Sequence, residues 1–188
     1  MHHSHLLLGG ARSGKSRYAV EQARVIGCLA AVVATARAVD RDMAARIARH
    51  RAERPAQWVT LEEPLDVAAA CRRAARSHDL VIVDCVTVWV SNLMERGDDD
   101  TLVLAAVDDL AKLLRERLVS IILVSNEVGQ GVHPPTELGR RFRDLLGVVN
   151  QRLAAAADRV TLMVAALPLT VKDTPLPSPP HDRTHEAP

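Results

Sequence analysis

Aromatic residues are scarce in this sequence, with two Trp, one Tyr and one Phe among 188 residues. Proteins that bind single-stranded nucleic acid stack the bases on aromatic side chains, so this composition disfavours that class. A surplus of positive charge is missing as well, since 24 Lys and Arg stand against 23 Asp and Glu. Because nucleic acids and anionic membranes both attract basic proteins, we expect neither as the main partner.

Cysteine is also rare, and no long apolar run is present. Cys28, Cys71 and Cys85 are odd in number and share no close spacing, which favours reduced thiols over a disulfide framework or a zinc site. No segment approaches the roughly 20 apolar residues of a membrane span. The apolar run within residues 1–8 is too short for a signal peptide. We therefore expect a soluble cytoplasmic protein.

Short apolar segments alternate with longer segments of helical period, a pattern typical of an α/β fold around a mostly parallel sheet flanked by helices. The predicted strands are residues 5–8, 30–36, 58–62, 80–86, 120–124 and 159–166, and the predicted helices are residues 15–25, 42–50, 65–77, 100–117 and 136–157. The length predicts one domain, residues 1–172. Residues 173–188 are rich in proline and poor in apolar side chains, which predicts a disordered tail.

A phosphate-binding loop (P-loop) is the sharpest motif, because it matches G-x-x-x-x-G-K-[ST] between an apolar strand and a helix. Its residues are Gly9, Gly10, Ala11, Arg12, Ser13, Gly14, Lys15 and Ser16. Inward backbone N–H groups and the helix N-terminus favour phosphate oxygens there. We expect Lys15 to contact the β- and γ-phosphates and Ser16 to bind Mg²⁺. The alternative is a glycine-rich turn without a ligand.

Asp84 follows the apolar run Val81-Ile82-Val83. A carboxylate at the carboxyl end of a buried strand beside a P-loop is typical of a Walker B position, which holds Mg²⁺ directly or through water. The alternative role for Asp84 is the N-cap of the next segment. Together the two motifs predict a nucleoside triphosphate and Mg²⁺ as ligands, and they leave the second substrate undefined.

Further short sequence motifs occur in the same order as in one known family. They are residues 42–47, His50, Arg54-Pro55, Trp58, residues 125–129 (SNEVG), residues 142–144, Gly147, Asn150-Gln151 and residues 154–158. With the P-loop, they make residues 5–170 similar to the bifunctional adenosylcobinamide kinase / adenosylcobinamide-phosphate guanylyltransferases of cobalamin biosynthesis.

This resemblance implies two reactions. An NTP, ATP or GTP, phosphorylates the aminopropanol hydroxyl of adenosylcobinamide, and GMP is then transferred from GTP to that phosphate, with release of pyrophosphate. It also implies a RecA-like P-loop fold, a homotrimer and a guanylylated histidine intermediate. The family's histidine, in its motif ahead of Arg-Pro, falls on His50, and Arg49 stands before it where some relatives carry a second histidine. A neutral imidazole is a good nucleophile towards an α-phosphate. Without the resemblance, His50 is a polar residue near a helix end.

The resemblance further implies several nucleotide contacts. They are the turn Ala34, Thr35 and Ala36, the segment Arg51, Ala52, Glu53 and Arg54, and Glu62 as a contact to guanine. A carboxylate accepts hydrogen bonds from guanine N1–H and N2–H₂, and guanidinium groups neutralise phosphate charge. The adjacent Glu63 leaves the register of Glu62 open. Glu127 is a further acidic candidate, with helix capping by residues 125–127 as its alternative.

Two other functions remain open from the residues. A P-loop kinase without guanylyl transfer would use the same loop and would not need His50. A non-catalytic NTP switch or a motor of RecA type is disfavoured by the balanced charge and the few aromatic residues.

Overall fold

A computed structural model of the chain describes residues 2–26 and 29–174, apart from the side chains of Ile26 and Arg46. Cys28 and residues 175–188 of the predicted tail lie outside the described residues. The strands are β1 (Ser4–Gly9), β2 (Ala30–Ala34), β3 (Val59–Glu62), β4 (Leu80–Asp84), β5 (Ser120–Val124), β6 (Arg159–Val164) and β7 (Leu167–Asp173). The helices are α1 (Lys15–Ile26), α2 (Arg41–Ala52), α3 (Val67–Ala74), α4 (Val86–Arg96), α5 (Asp100–Glu116) and α6 (Glu137–Ala156).

The strands form one sheet in the order β3-β2-β4-β5-β1-β6-β7. Strands β1 to β6 all run parallel to one another, and the edge strand β7 pairs antiparallel with β6. Near-continuous apolar runs such as LVIV in β4 fit strands that are covered on both faces. This architecture confirms the predicted α/β class with a mostly parallel sheet.

The sheet separates two apolar clusters. Helices α3 to α6 pack on one face, where Trp89, Leu110 and Leu146 are buried. The opposite face is covered mainly by α1, through Ala19 and Ala23. Helix α2 contributes little to either cluster, because none of its described side chains is buried. A helix with so few buried contacts needs little free energy to move.

One predicted strand ends earlier than expected, because β4 stops at Asp84 and α4 begins at Val86. The prediction of a strand through Val86 was wrong, and α4 was missed. The β-branched run Val86-Thr87-Val88 favours a strand locally. Tertiary packing overrides this preference, since Val86, Trp89, Val90 and Leu93 bury one face of α4 at helical spacing.

The end of the sheet also differs from the prediction. Residues 159–166 do not close it, because β6 ends at Val164 and the chain turns at Ala165 and Ala166 with φ of 51° and 66°. Strand β7 then forms the edge. The turn lacks the glycine or asparagine that favours positive φ, so the usual hairpin signal is absent from the sequence.

Candidate functional site

The P-loop connects β1 to α1 at the carboxyl end of the sheet. Lys15 is buried, and its Nζ donates to the carbonyl oxygens of Gly9 and Gly10, each at 2.7 Å. These bonds hold the ammonium group across the loop. The position of Lys15 and the strand–loop–helix context match the geometry in which a P-loop lysine meets phosphate oxygens.

The β6–β7 turn packs against this loop. Ser13 O accepts a hydrogen bond from Ala166 N–H at 3.1 Å. An ideal Cβ at Gly9, where φ is +148°, would lie 2.6 Å from Met163 O, and one at Gly14, where φ is +95°, would lie 3.3 Å from Ala166 Cα. Glycine at these two positions therefore fits both a backbone conformation that other residues rarely adopt and a close approach.

The carboxyl ends of β2, β3 and β4 bring three of the expected residues level with one another. Ala34 of β2 pairs in register with Glu62 of β3 on one side and with Asp84 of β4 on the other. Asp84 is not an N-cap, because Cys85 occupies the N-cap position of α4. Its carboxylate is thus not used in capping α4.

Asp84 forms an ion pair with Arg54, whose Nη2 lies 3.0 Å from Asp84 Oδ2. Only 10% of the Arg54 side chain and 19% of the Asp84 side chain are exposed. Arg54 also donates to Thr60 Oγ1 at 3.3 Å. This arginine therefore holds the carboxylate that the sequence assigns to Mg²⁺.

His50 lies in the last turn of α2, half-buried, and lines a small cavity together with Ser16, Arg54 and Asp84. The cavity measures about 10 Å³, room for about one water molecule. His50 Nδ1 is 4.0 Å from Glu53 Oε2. The structure thus places the histidine against the P-loop helix, a proximity that spacing along the chain does not reveal.

The other residues expected to contact nucleotide differ in exposure and in the hydrogen bonds that they already form within the fold. Arg51 donates to Glu62 Oε1 at 2.7 Å, and both side chains are mostly exposed, as is Ala52. Thr35 is buried, and its hydroxyl donates to Cys85 O at 2.8 Å and accepts from Cys85 N–H at 2.9 Å. Ala36, after it, is half-buried. The Thr35 hydroxyl is therefore already engaged within the fold.

Glu63 has a different role from Glu62. Its Oε1 accepts from the N–H groups of Leu65 and Asp66 at 3.2 and 3.0 Å, and Arg73 contacts its Oε2. Burial acts to raise the pKa of Glu63, but these hydrogen bonds and the Arg73 charge outweigh it and lower that pKa. Glu63 therefore closes the turn before α3, whereas the side chain of Glu62 is mostly exposed.

A larger cleft of about 500 Å³ lies on the other side of the P-loop. Its walls are residues 10–13 of the loop, residues 162–165 at the end of β6, and Glu127, Gln130 and Gly131 from the segment after β5. This cleft was not predicted from the sequence, because the β6–β7 turn that forms one wall was predicted as a continuous strand.

The segment after β5 is fixed by a buried polar network. Ser125 Oγ donates to Asn150 Oδ1 at 2.7 Å, Asn150 Nδ2 donates to Asn126 O at 3.0 Å, and Asn126 N–H donates to Thr87 Oγ1 at 2.7 Å. Residues 125 and 126 thus tie the end of β5 to α4 and α6. Glu127 follows them into the cleft.

The chain is similar in sequence to known proteins over most of its length. Residues 5–171 match the model of the family described as cobinamide kinase / cobinamide phosphate guanyltransferase, CobU. The chain is 47% identical over 171 residues to the bifunctional adenosylcobalamin biosynthesis protein CobP of Pseudomonas aeruginosa, covering 91% of this chain and 98% of the relative. It is 39% identical over 183 residues to CobU of Salmonella typhimurium, covering 89% and 98%.

Among solved structures, a KaiC-like protein from Pyrococcus horikoshii aligns with a TM-score of 0.50 and 15% identity, over 85% of this chain and 70% of that one. This likeness concerns the fold alone, and it agrees with a RecA-like P-loop architecture. Within the described residues, no helix has the length and apolar character needed to cross a membrane.

Proposed function

The chain belongs to the cobinamide kinase / cobinamide phosphate guanyltransferase family, and on that premise we propose that one P-loop site performs both transfers with His50 as the guanylylated nucleophile. The enzyme phosphorylates adenosylcobinamide and then attaches GMP to the product, within adenosylcobalamin biosynthesis. The observation that supports a shared site is that His50, Ser16 and Asp84 line the same cavity.

The kinase step uses the P-loop. The acceptor hydroxyl oxygen bonds to the γ-phosphorus of ATP or GTP, the bond to the bridging oxygen breaks, and the nucleoside diphosphate leaves while the hydroxyl proton is released. Lys15 balances the negative charge of the transferring phosphoryl group. The Ser16 hydroxyl and the Asp84 carboxylate are oxygen donors of the kind that Mg²⁺ prefers, and they would hold it. When bound, Mg²⁺ neutralises charge on the phosphate oxygens.

The guanylyl step uses His50. An imidazole nitrogen bonds to the α-phosphorus of GTP, the bond to the bridging oxygen breaks, and pyrophosphate leaves. A phosphate oxygen of the acceptor then bonds to the same phosphorus, the P–N bond breaks, and the imidazole is restored. Arg51, in the last turn of α2, and Arg54, two residues after that helix, would receive phosphate charge, since both are close to His50 in the chain.

Guanine is bound by Glu62 at the end of β3, beside the turn Ala34 to Ala36. Glu62 is mostly exposed, and its present partner, Arg51, is exposed too, so both can exchange this ion pair for nucleotide contacts. The accessible carboxylate of Glu62 supports this assignment. The assignment to Glu62 and not to Glu63 is supported by the hydrogen bonds that Glu63 already accepts from the backbone.

Nucleotide binding moves α2. A cavity of about 10 Å³ has room for about one water molecule, so we expect the end of α2 to shift when GTP brings a phosphate group beside His50. The absence of buried side chains among those described in α2 supports such a movement.

The family resemblance supports a cytoplasmic homotrimer. Light scattering of the purified chain tests the assembly, and the mass of a monomer at micromolar concentration would contradict it.

The decisive experiment incubates the protein with Mg²⁺ and GTP radiolabelled at the α-phosphate, without corrinoid, followed by denaturing electrophoresis. We expect an acid-labile, alkali-stable label on wild type, and none on His50→Ala. His78→Ala is the matched control and keeps the label, because His78 precedes β4 at the amino end of the sheet, whereas the P-loop lies at the carboxyl end. A wild-type chain that binds GTP but takes no label would exclude the guanylylated histidine and favour a kinase without guanylyl transfer.

A further inference from the structure

A cleft of about 500 Å³ adjoins the P-loop and shares residues 10–13 of that loop with the phosphate site, whereas none of the other proposed nucleotide contacts lines it. Its walls follow β1, β5 and β6 at their carboxyl ends, where open α/β sheets bind ligands. Its volume falls within the range typical of small-molecule sites.

The order of the strands separates this cleft from the guanine side. Ala34, Glu62 and Asp84 lie at the ends of β2, β3 and β4, on one side of β1. Strands β6 and β7 lie on the other side of β1. The P-loop lies between the two regions. A ligand in the cleft would therefore approach the nucleotide phosphates from the β6 side of the loop.

The walls combine apolar surface, an amide and one charge of each sign, which suits a large ligand with apolar, carboxamide and cationic parts. Leu162 and Val164 provide apolar surface, and Gln130 provides an amide donor and acceptor. Glu127 adds a carboxylate, with Oε1 accepting from Gly129 N–H at 2.8 Å. Arg12 is the one cationic side chain among the residues that form the walls. A carboxylate repels phosphate and attracts a cation.

We propose that this cleft binds the corrin side of the acceptor, an inference that rests on the proposed function. A corrinoid has an apolar macrocycle edge, peripheral carboxamides and a net positive charge from cobalt(III), and each of these has a counterpart in the walls. Its aminopropanol arm then extends over residues 10–13 of the P-loop towards Lys15 and His50. The nucleotide and the corrinoid thus enter from opposite sides of the P-loop.

The first test fills the cleft with Gly131→Trp. An ideal Cβ at Gly131 meets only Val128 O, at 3.7 Å, so the backbone accepts a side chain. Leu118→Trp is the matched control, because Leu118 is 55% exposed and precedes β5 at the opposite edge of the sheet. Equilibrium dialysis followed by corrin absorbance gives the Kd for cobinamide, and calorimetry gives the Kd for GTP. We expect Gly131→Trp to raise the cobinamide Kd by about tenfold or more, with the GTP Kd changed by less than about twofold.

The second variant, Glu127→Gln, removes charge without adding bulk, and its amide oxygen still accepts from Gly129 N–H. We expect it to raise the cobinamide Kd roughly threefold at low salt, with a smaller effect at high salt. A cobinamide Kd unchanged in both variants overturns the placement and leaves the proposed function standing. A rise in the GTP Kd alone also overturns it, because the cleft then holds nucleotide. A wild-type chain that binds GTP but no cobinamide overturns the proposed function and this inference together.

Discussion

Arg54 Nη2 lies 3.0 Å from Asp84 Oδ2, so the carboxylate expected at the metal is neutralised by an arginine two residues beyond the helix of the proposed nucleophile. The pair couples two parts of the site. We propose that Asp84 would hold Mg²⁺ in the nucleotide complex, which would leave Arg54 without its partner and free to bind phosphate oxygens. Because Arg54 is close in sequence to His50, we expect this exchange to shift the end of α2.

The first prediction concerns the stability of the nucleotide-free protein. Arg54→Ala leaves the largely buried Asp84 without its partner, and we expect a loss of about 2 kcal/mol in the free energy of unfolding. Arg51→Ala breaks the exposed pair with Glu62 and costs less than about 0.5 kcal/mol. Urea denaturation without nucleotide measures both. Equal losses would show that the burial of the Arg54 pair has no energetic consequence.

The second prediction separates the two neighbouring glutamates. Glu62→Gln keeps the fold and raises the KM for GTP by about tenfold, since the amide cannot accept both guanine hydrogen bonds as well as a carboxylate. Glu63→Gln weakens the hydrogen bonds from Leu65 and Asp66 N–H, which lowers the free energy of unfolding by about 1 kcal/mol and the Tm by a few degrees. The KM for GTP stays unchanged. Steady-state kinetics and calorimetry measure the two effects. A higher KM in Glu63→Gln alone would reverse the assignment.

Local patterns predicted most of the sheet and the positions of the P-loop and Asp84 at the carboxyl ends of their strands. The P-loop needs only a strand, eight consecutive residues and a helix, so residues 9–16 carry the motif in full. Asp84 follows from the end of an apolar run. In both cases the signal lies within a few consecutive residues, and the parallel sheet then fixes which strand ends meet.

Contacts between distant segments were not predictable in this way. Arg54 and Asp84 are 30 residues apart, and the sequence favours no partner for either. Helix α4 and the β6–β7 turn were missed because local preference disagrees with the packing, as in the β-branched start of α4 and the two alanines with positive φ. The cleft depends on that turn, so it was missed as well.

The third prediction tests the close packing of the P-loop against β6. Gly9→Ala places Cβ 2.6 Å from Met163 O at a φ of +148°, so either the loop or β6 has to shift. We expect a loss of at least about 2 kcal/mol in the free energy of unfolding. Gly10→Ala meets nothing within 4 Å and changes this free energy by less than about 0.5 kcal/mol. Thermal unfolding of the two variants measures the difference, and similar Tm values would show that the loop has room to adjust.

The fourth prediction concerns pH. His5 is buried in β1, its Nε2 lies 2.8 Å from Thr161 Oγ1, and burial, aided by Arg159, lowers its pKa to about 4 from 6.5. Between these values the unfolded chain binds a proton that the folded chain does not. The contribution of a neutral His5 is therefore complete above pH 6.5 and is lost as pH falls towards 4. The free energy of unfolding lost through His5 over this pH interval is about 3 kcal/mol.

We expect His5→Gln, which can keep a hydrogen bond to Thr161, to unfold with a weaker pH dependence than wild type across this interval. Urea denaturation at several pH values between 4 and 7 gives the free energy of unfolding for each protein. His133→Gln is the control, because His133 is exposed in the loop before α6 and its substitution removes no buried imidazole. If His5→Gln and wild type lose stability in parallel as pH falls, His5 accepts its proton in the folded chain as readily as in the unfolded one, and its burial does not govern the acid sensitivity of the protein.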